Sequence, residues 1–292
     1  MKQDEKMRRR EEDMRQNQNV RVIASDLDGT LLTPDKQVTS FTREILAKAV
    51  SRGVHFVPCT GRPFDAVPQS VRELPGVEYV IASNGAAVYS VSLGRRIYER
   101  LLNEETVEKI LQLPLPQEIA TEVLVEGIPY TEERYIEDPA RFGATEYGIQ
   151  YIKETRRGLA DIRSFLREHR AQTDGINFIC ADPALREQLA RRLCEQCQEI
   201  TLTSSVPHLI EVSHRQSDKG QTLLWLLRAL KLSQEEAMAF GDAENDIPML
   251  RAVRYGIAME NAAEHCKEAA FAVTGSNTED GVARKIQEML GL

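Results

Sequence analysis

From Val20 to Ser25 the chain runs through a short, mostly apolar stretch that stops abruptly at Asp26-Leu27-Asp28-Gly29-Thr30. A short apolar run that meets a polar loop so sharply is the pattern of a strand buried in a parallel sheet. The same beat recurs twice. Phe41, Ile45, Leu46, Ala49 and Val50 predict a helix over Ser40–Arg52, Gly53 stops it, and Val54–Cys59 reads as a second strand. A helix over Phe64–Arg72 and a third strand over Glu78–Ala82 follow, the strand ending in Ser83-Asn84-Gly85. Strands alternating with helices predict the α/β class, a doubly wound parallel sheet whose ligand site lies beyond the carboxyl ends of its strands. The loops that follow these strands are therefore aimed at one place.

Between about Glu99 and Arg215 the beat changes. A helix over Glu104–Leu113 precedes strand-like segments at Glu122–Val125, Asn177–Cys180, Ile200–Thr203 and Leu209–Val212, with helices at Gly158–Arg170 and Ala184–Gln196 among them. This reads as an α+β domain, residues 99–215, inserted into a first domain made of residues 19–98 and 216–292. The parallel pattern resumes with helix Gln221–Leu230, strand Ala237–Phe240, loop Gly241–Asn245, helix Ile247–Ala252 and strand Gly256–Met259. Two further elements, Phe271–Thr274 and Gly281–Leu290, close the chain.

The 292 residues are enough for two cores, and 42% hydrophobic with 28% charged content is globular composition. Apolar runs such as Leu223–Leu227 fall far short of the roughly 18 residues a membrane span needs, so no membrane partner is expected. The net charge of −8 disfavours a nucleic-acid partner, and the insert alone, with 14 basic and 21 acidic residues, would repel a polyanion. Residues 1–18 carry six Lys or Arg and five acids and have no apolar core, so they read as a flexible tail rather than an export signal. Five cysteines are few and odd in number, which fits a reducing, cytoplasmic setting. No motif in the chain encodes an oligomeric state.

Asp26 and Asp28 are spaced i, i+2, so an extended exit from the first strand puts both carboxylates on one side of the backbone, and Gly29 then permits a sharp turn. Two such carboxylates repel unless a cation sits between them or one holds a proton. Hard oxygen ligands suit Mg²⁺. Thr60-Gly61 offers a hydroxyl and a free amide after the second strand, Lys219 opens a helix, and Gly241-Asp242 with Asn245-Asp246 follows a later strand. A hydroxyl, a cation and several carboxylates at the mouths of parallel strands make a phosphate and Mg²⁺ site.

The run Asp26-Leu-Asp28-Gly-Thr-Leu-Leu, then Thr60-Gly-Arg62, Ser83-Asn84-Gly85, Lys219-Gly220 and Gly241-Asp242-Ala-Glu-Asn245-Asp246, resembles the haloacid dehalogenase superfamily in its Cof-type subclass (IIB). The resemblance spans roughly residues 20–290, with the insert placed as in a type C2 cap. It implies a Rossmann-like core, a mobile cap and Mg²⁺-dependent hydrolysis of a small phosphorylated metabolite such as a sugar phosphate, nucleotide or cofactor precursor. By the same resemblance Asp26 is the nucleophile that forms an aspartyl-phosphate, and Asp28 is first acid, then base. Thr60 and Lys219 hold the transferring phosphoryl group. Asp26, the Asp28 carbonyl and Asp242 ligate the metal, and Asp246 supports them. Gly61, Arg62, Asn84, Gly85 and Asn245 contact phosphate or substrate, although Arg62 has an alternative as partner of a core acid. Ser25 and Pro58-Cys59 depart from the smaller or aliphatic residues commoner at those places. Two alternatives stand beside hydrolysis: a phosphotransferase or phosphomutase that returns the phosphoryl group to a sugar hydroxyl, and a ligand-binding regulatory protein without turnover.

Cys194-Glu-Gln-Cys197 has redox or zinc spacing but sits late in a helix without a second ligand pair, so both cysteines are expected as buried or half-buried helix residues. Asp242-x-Glu244-x-Asp246 mimics the start of a calcium loop, but Ile247 stands where that loop turns on Gly and Val253 where it needs a bidentate Glu. His208 and His214 flank a strand of the insert and have two readings, facing the substrate or, the one favoured, lying on its surface.

Overall fold

A computed structural model describes residues 19–292; the expected tail, residues 1–18, lies outside the described residues. The first strand, β1 (Val22–Ser25), is buried at every position and pairs in parallel with β2 (His55–Pro58). Helix α1 (Ser40–Ser51) connects them, capped by Thr39, whose hydroxyl accepts from the Thr42 N–H at 3.0 Å. The helix expected over Phe64–Arg72 breaks into a 3₁₀ turn, Phe64–Ala66, and a single α turn, Gln69–Arg72. Pro68 is the cause, because it lacks an N–H and forces Val67 into an extended conformation (φ −74°, ψ 124°).

The third strand, β3 (Tyr79–Ala82), differs from the expected parallel member. It meets the β2 edge through one parallel bridge, Cys59 with Ile81, and spends its other edge on antiparallel β4 (Ala87–Ser90), which pairs with β5 (Arg95–Glu99). The insert follows: α2 (Glu104–Gln112), β6 (Ala120–Val125), β7 (Ile128–Glu132), α3 (Glu146–Thr155), β8 (Arg157–Leu159), α4 (Ile162–Glu168), β9 (Thr173–Ile179), α5 (Pro183–Gln196), β10 (Ile200–Thr203) and β11 (Leu209–His214). Its six strands lie in the order β10-β11-β9-β6-β7-β8, antiparallel except for β7 with β8. The helix expected from Gly158 starts later, since Arg157–Leu159 is strand and Asp161 supplies the cap, accepting from the Ser164 N–H at 2.9 Å.

The core then closes through α6 (Lys219–Ala229), β12 (Ala237–Gly241), α7 (Ile247–Ala252), β13 (Tyr255–Ala258), α8 (Glu264–Ala269), β14 (Ala272–Val273) and α9 (Gly281–Leu290). Its five parallel strands are ordered β14-β13-β12-β1-β2, so β1 is central. One apolar core surrounds that sheet, around Ile23, Phe56, Phe240 and Tyr255, and a separate one underlies the cap sheet, around Val123, Ile176, Phe178 and Leu193. This is a parallel α/β core with an antiparallel-sheet cap, and the cleft between them opens at the carboxyl end of β1. No helix among the described residues is long and apolar enough to cross a membrane.

Candidate active site

Central position buries the exit of β1. Asp26 is 6% exposed, its N–H donates to the Phe240 carbonyl at 3.0 Å, and Ser25 Oγ donates to the Asp26 carbonyl at 2.8 Å. Gly29 then turns at φ +84°, where a Cβ would strike the Asp242 carboxylate, so only glycine lets the loop after β1 lie against the loop after β12. Thr30 Oγ1 closes that contact by donating to Asp242 Oδ1 at 2.6 Å.

Lys219 enters from the first turn of α6, which Asp218 caps by accepting from the Gln221 N–H at 2.7 Å. Its ammonium is fully buried and reaches Asp26 Oδ1 and Asp246 Oδ1, both at 2.7 Å. Burial disfavours the charge, but Asp246 and Asp26 outweigh it and hold the Lys219 pKa above the usual lysine range. Asp246 Oδ2 accepts the N–H groups of Asp242 and Ala243 at 3.0 Å each, so both of its oxygens are engaged. Asp26 Oδ2 and Asp242 Oδ2, by contrast, have no hydrogen-bond donor among the described residues.

Burial pushes the Asp26 carboxyl well up; Lys219 pulls it down, and Asp246, Asp242 and Asp28 push it up again. Burial likewise lifts Asp242 to about 6, against the Thr30 hydrogen bond. Oxygens of Asp26, Asp242 and Asp246 all lie within 4.8 Å of one another. Buried acids this close, two of them with an unengaged oxygen, form a hard donor set short of one positive charge, which fits Mg²⁺.

Asp28 is held by a different set of cations. Arg62 grips it with both prongs, Nε to Oδ2 at 2.6 Å and Nη2 to Oδ1 at 2.7 Å, and Lys36 Nζ adds a contact to Oδ1 at 2.7 Å. Burial opposes its charge, yet the Arg62 hydrogen bond and charge, with Lys36, hold the carboxyl well below its ordinary range. Of the two readings of Arg62, the structure places it on the acid. Thr60, buried, gives its N–H to Ile81, and its hydroxyl accepts from the Arg62 N–H at 3.1 Å. Behind it, Ser83 and Asn84 are consecutive non-glycine residues with positive φ (50° and 53°), strain that holds the Asn84 amide inward. Gly85 follows at φ +92°, where a Cβ would strike the Asp218 backbone just before Lys219.

Asn84 is a junction. Its Nδ2 donates to Glu211 Oε1 on β11 at 3.1 Å and its Oδ1 accepts from Asn245 Nδ2 at 2.9 Å, while Asn245 Oδ1 is buried without a partner. Above these groups lies a cavity of about 300 Å³, lined from the core by Asp26, Asp28, Thr60 and Arg62 and from the cap by Glu122, Tyr151, Arg156, Asn177 and Glu211.

The structure therefore brings together Asp26, Asp28, Thr60, Gly61, Arg62, Asn84, Gly85, Lys219, Asp242, Asn245 and Asp246. Sequence reasoning missed Thr30, Lys36 and the cap side chains. Glu122 and Glu211 had a signal available, a carboxylate inside an otherwise buried strand, which must face a partner or a cavity. His208 lines the cavity and His214 does not, but His214 is buried at the end of β11, so neither is the surface residue favoured by the sequence. Of the paired cysteines, Cys197 is buried at the end of α5, but Cys194 is exposed, because it lies on the solvent face of that helix.

A family model described as haloacid dehalogenase-like hydrolase matches residues 23–286. The chain is 32% identical over 289 residues to the phosphatase YwpJ of Bacillus subtilis, covering 93% of this chain and all of that one. A second B. subtilis protein, the 5-amino-6-(5-phospho-D-ribitylamino)uracil phosphatase YcsE, is 25% identical, with 94% of this chain and 97% of that one covered. A solved haloacid dehalogenase-like hydrolase from B. subtilis superposes with a TM-score of 0.79 at 30% identity, over 92% of this chain and 99% of its own.

Proposed function

Because the chain belongs to the haloacid dehalogenase-like hydrolase family and is a phosphatase, we propose that it hydrolyses a small phosphorylated metabolite through a phosphoryl group carried on Asp26, with Mg²⁺ as cofactor. The observation that carries this reading is the fully buried Lys219, which holds Asp26 Oδ1 while Asp26 Oδ2 has no donor among the described residues and the residue lines the cavity. In this reading residues 99–215 are the cap, residues 19–98 and 216–292 the catalytic core, and the protein works in the cytoplasm.

Asp26 Oδ2 attacks phosphorus, the ester P–O bond breaks with its electron pair going to the leaving oxygen, and Asp28 gives that oxygen a proton. Asp28 waits as a carboxylate under Arg62 and Lys36, so the first step requires the arriving phosphoryl dianion to take those two cations over and Asp28 to take up a proton from solvent, which it then passes to the leaving oxygen. Once the alcohol has left, Asp28 accepts a proton from water, which attacks phosphorus and releases phosphate from Asp26. Lys219 offsets repulsion between Asp26 and the dianion, and Thr60 with the Gly61 amide receives phosphoryl oxygens. Asp26, Asp242 and the Asp28 carbonyl would hold Mg²⁺, which supplies positive charge at the transferring group when bound. Asp246, with both oxygens occupied, keeps Lys219 and the Asp242 loop in place.

A phosphate-release screen over sugar phosphates, nucleoside monophosphates and phosphorylated cofactor precursors tests the reading. Release should require Mg²⁺ and vanish in Asp26→Asn and in Asp242→Asn, with excess Mg²⁺ partly restoring only the second. Activity persisting in Asp26→Asn, or full activity in chelator, would overturn it. Isomerised sugar phosphate without free phosphate would point to a phosphomutase instead.

A further inference from the structure

The cap wall is built from charges that are already matched. Arg156 of the cap gives Nε to Glu122 Oε2 at 2.6 Å and lies over the Tyr151 ring at 4.5 Å. Arg62 lies over the same ring at 4.2 Å and spends Nε and Nη2 on Asp28 and Nη1 on the Ala66 carbonyl. Lys36 is bound to Asp28 as well. These are all three cations that line the cavity, and each holds a carboxylate. Glu211, fully inside, has only neutral donors, Asn84 Nδ2 at 3.1 Å and the Ser205 N–H at 2.8 Å. Burial and the Arg186 charge lower the His208 pKa, so its imidazole adds no charge at neutral pH.

What the wall does offer is acceptors. Asn177 Nδ2 is fixed on Glu122 Oε1 at 2.8 Å, which leaves Asn177 Oδ1 with no donor among the described residues. Each carboxylate of Glu122 and Glu211 keeps unused lone pairs beyond the bonds it makes. Ile152, Ile179 and Leu209 supply carbon for the rest.

Resting on the phosphatase reading, we infer that the cap selects esters whose leaving moiety is uncharged and hydroxyl-bearing, and excludes esters that carry a second phosphate or a carboxylate. Hydroxyls would donate to Asn177 Oδ1, Glu122 and Glu211. A second anion would meet acceptor oxygens and find no cation of its own, because Arg156 is neutralised by Glu122 and the core cations serve Asp28 and the phosphoryl group. Like-charge contacts of this kind are how binding sites reject wrong partners. Glu122 is the specificity determinant, since it sets whether Arg156 is free.

The test uses matched pairs that differ by a carboxylate in place of a primary alcohol: glucitol 6-phosphate with 6-phosphogluconate, and glycerol 3-phosphate with 3-phosphoglycerate. Wild-type kcat/KM should favour the neutral member of each pair by at least about tenfold. Glu122→Gln keeps the shape and releases the Arg156 charge, so KM for the acidic member should fall and the ratio should narrow by at least about threefold. Equal rates within the pairs, or preference for the acids, overturn the inference and leave the phosphatase reading standing. No phosphate from either pair while another ester of the wider screen is hydrolysed overturns the inference and leaves the phosphatase reading standing; no release from any ester in the presence of Mg²⁺ removes both. Wild-type discrimination that Glu122→Gln leaves unchanged overturns the assignment to the Glu122–Arg156 pair, and the wild-type ratio alone still decides the matter if that variant fails to fold.

Discussion

Replacing Lys219 by Met would keep an apolar stem of similar length and delete the ammonium that holds Asp26 and Asp246 at 2.7 Å each. Solvent is shut out from the position of the ammonium, because Lys219 and Asp246 are fully buried and Asp26 nearly so. Asp26, Asp242 and Asp246 would then face one another with oxygens within 4.8 Å and no cation between them. Removing one partner of a buried ion pair costs about 3–5 kcal/mol. For a chain of this size that lowers the melting temperature by roughly 6–20 °C, at about 2–4 °C per kcal/mol. The sign with pH follows from linkage. The Lys219 pKa is raised on folding, so its contribution is complete below the ordinary value of 10.5 and is lost only as pH climbs through the higher folded value. The deficit of the variant should therefore be at its full size from about pH 7 to 9. On acidification the crowded carboxyls, raised above their unfolded value of 3.8, take up protons in the folded state first, and the deficit should shrink by about pH 5. Added Mg²⁺ should restore stability to the variant at least as strongly as to the wild type, a gain of about 2.7 kcal/mol at a hundredfold excess over Kd. Thermal and urea unfolding across that pH range measure all three effects. A loss below about 1 kcal/mol, or a deficit that grows as pH falls, would refute the reasoning.

Asp28→Asn should slow alkyl phosphates by roughly 10²–10⁴, the usual worth of positioned acid–base catalysis. With p-nitrophenyl phosphate, whose leaving group needs no proton, single-turnover kinetics should instead show a nitrophenol burst and a phosphorylated Asp26 by mass spectrometry; equal slowing of both esters with neither burst nor adduct would remove Asp28 from proton transfer. On the cap side, Asp174 of β9 is fully buried between Arg96 Nη1 of β5 and the Gly127 N–H, both at 2.6 Å. Burial lifts its carboxyl to about 6, against pulls from Gly127 and Arg96. Because the folded value exceeds the ordinary 3.8, the group costs stability above about pH 6 and returns about 3 kcal/mol as pH falls toward 4. Asp174→Asn should lack that gain when urea midpoints are compared at about pH 7 and 4.5; parallel profiles for the two proteins would show that Asp174 titrates normally.

Much of the core and of the candidate site was legible in the sequence because both depend on local rules. An apolar run that ends in Asp26-Leu-Asp28-Gly-Thr declares a buried strand and the loop beyond it, and the same logic located Thr60 and Asp242 at neighbouring strand ends and Lys219 at the start of a helix. Gly29 declared a turn that any other residue would strain. Local pattern failed where a single residue overrode a periodic stretch, as Pro68 did in the segment after β2 and Asp161 did before α4. It also failed for β7 and β8, whose pairing is with each other and with β6 rather than with anything written in their own composition. Tertiary structure alone decided the partners of the charges. Arg62 takes Asp28 from 34 residues away, Asn84 takes Glu211 from 127, and Lys219 takes Asp26 from 193. An unpaired buried charge costs more than almost any other defect, so each group is matched to whichever opposite charge or donor the folded chain brings within reach. That choice cannot be read along the sequence, because it is made only when distant segments fold together and water is excluded between them.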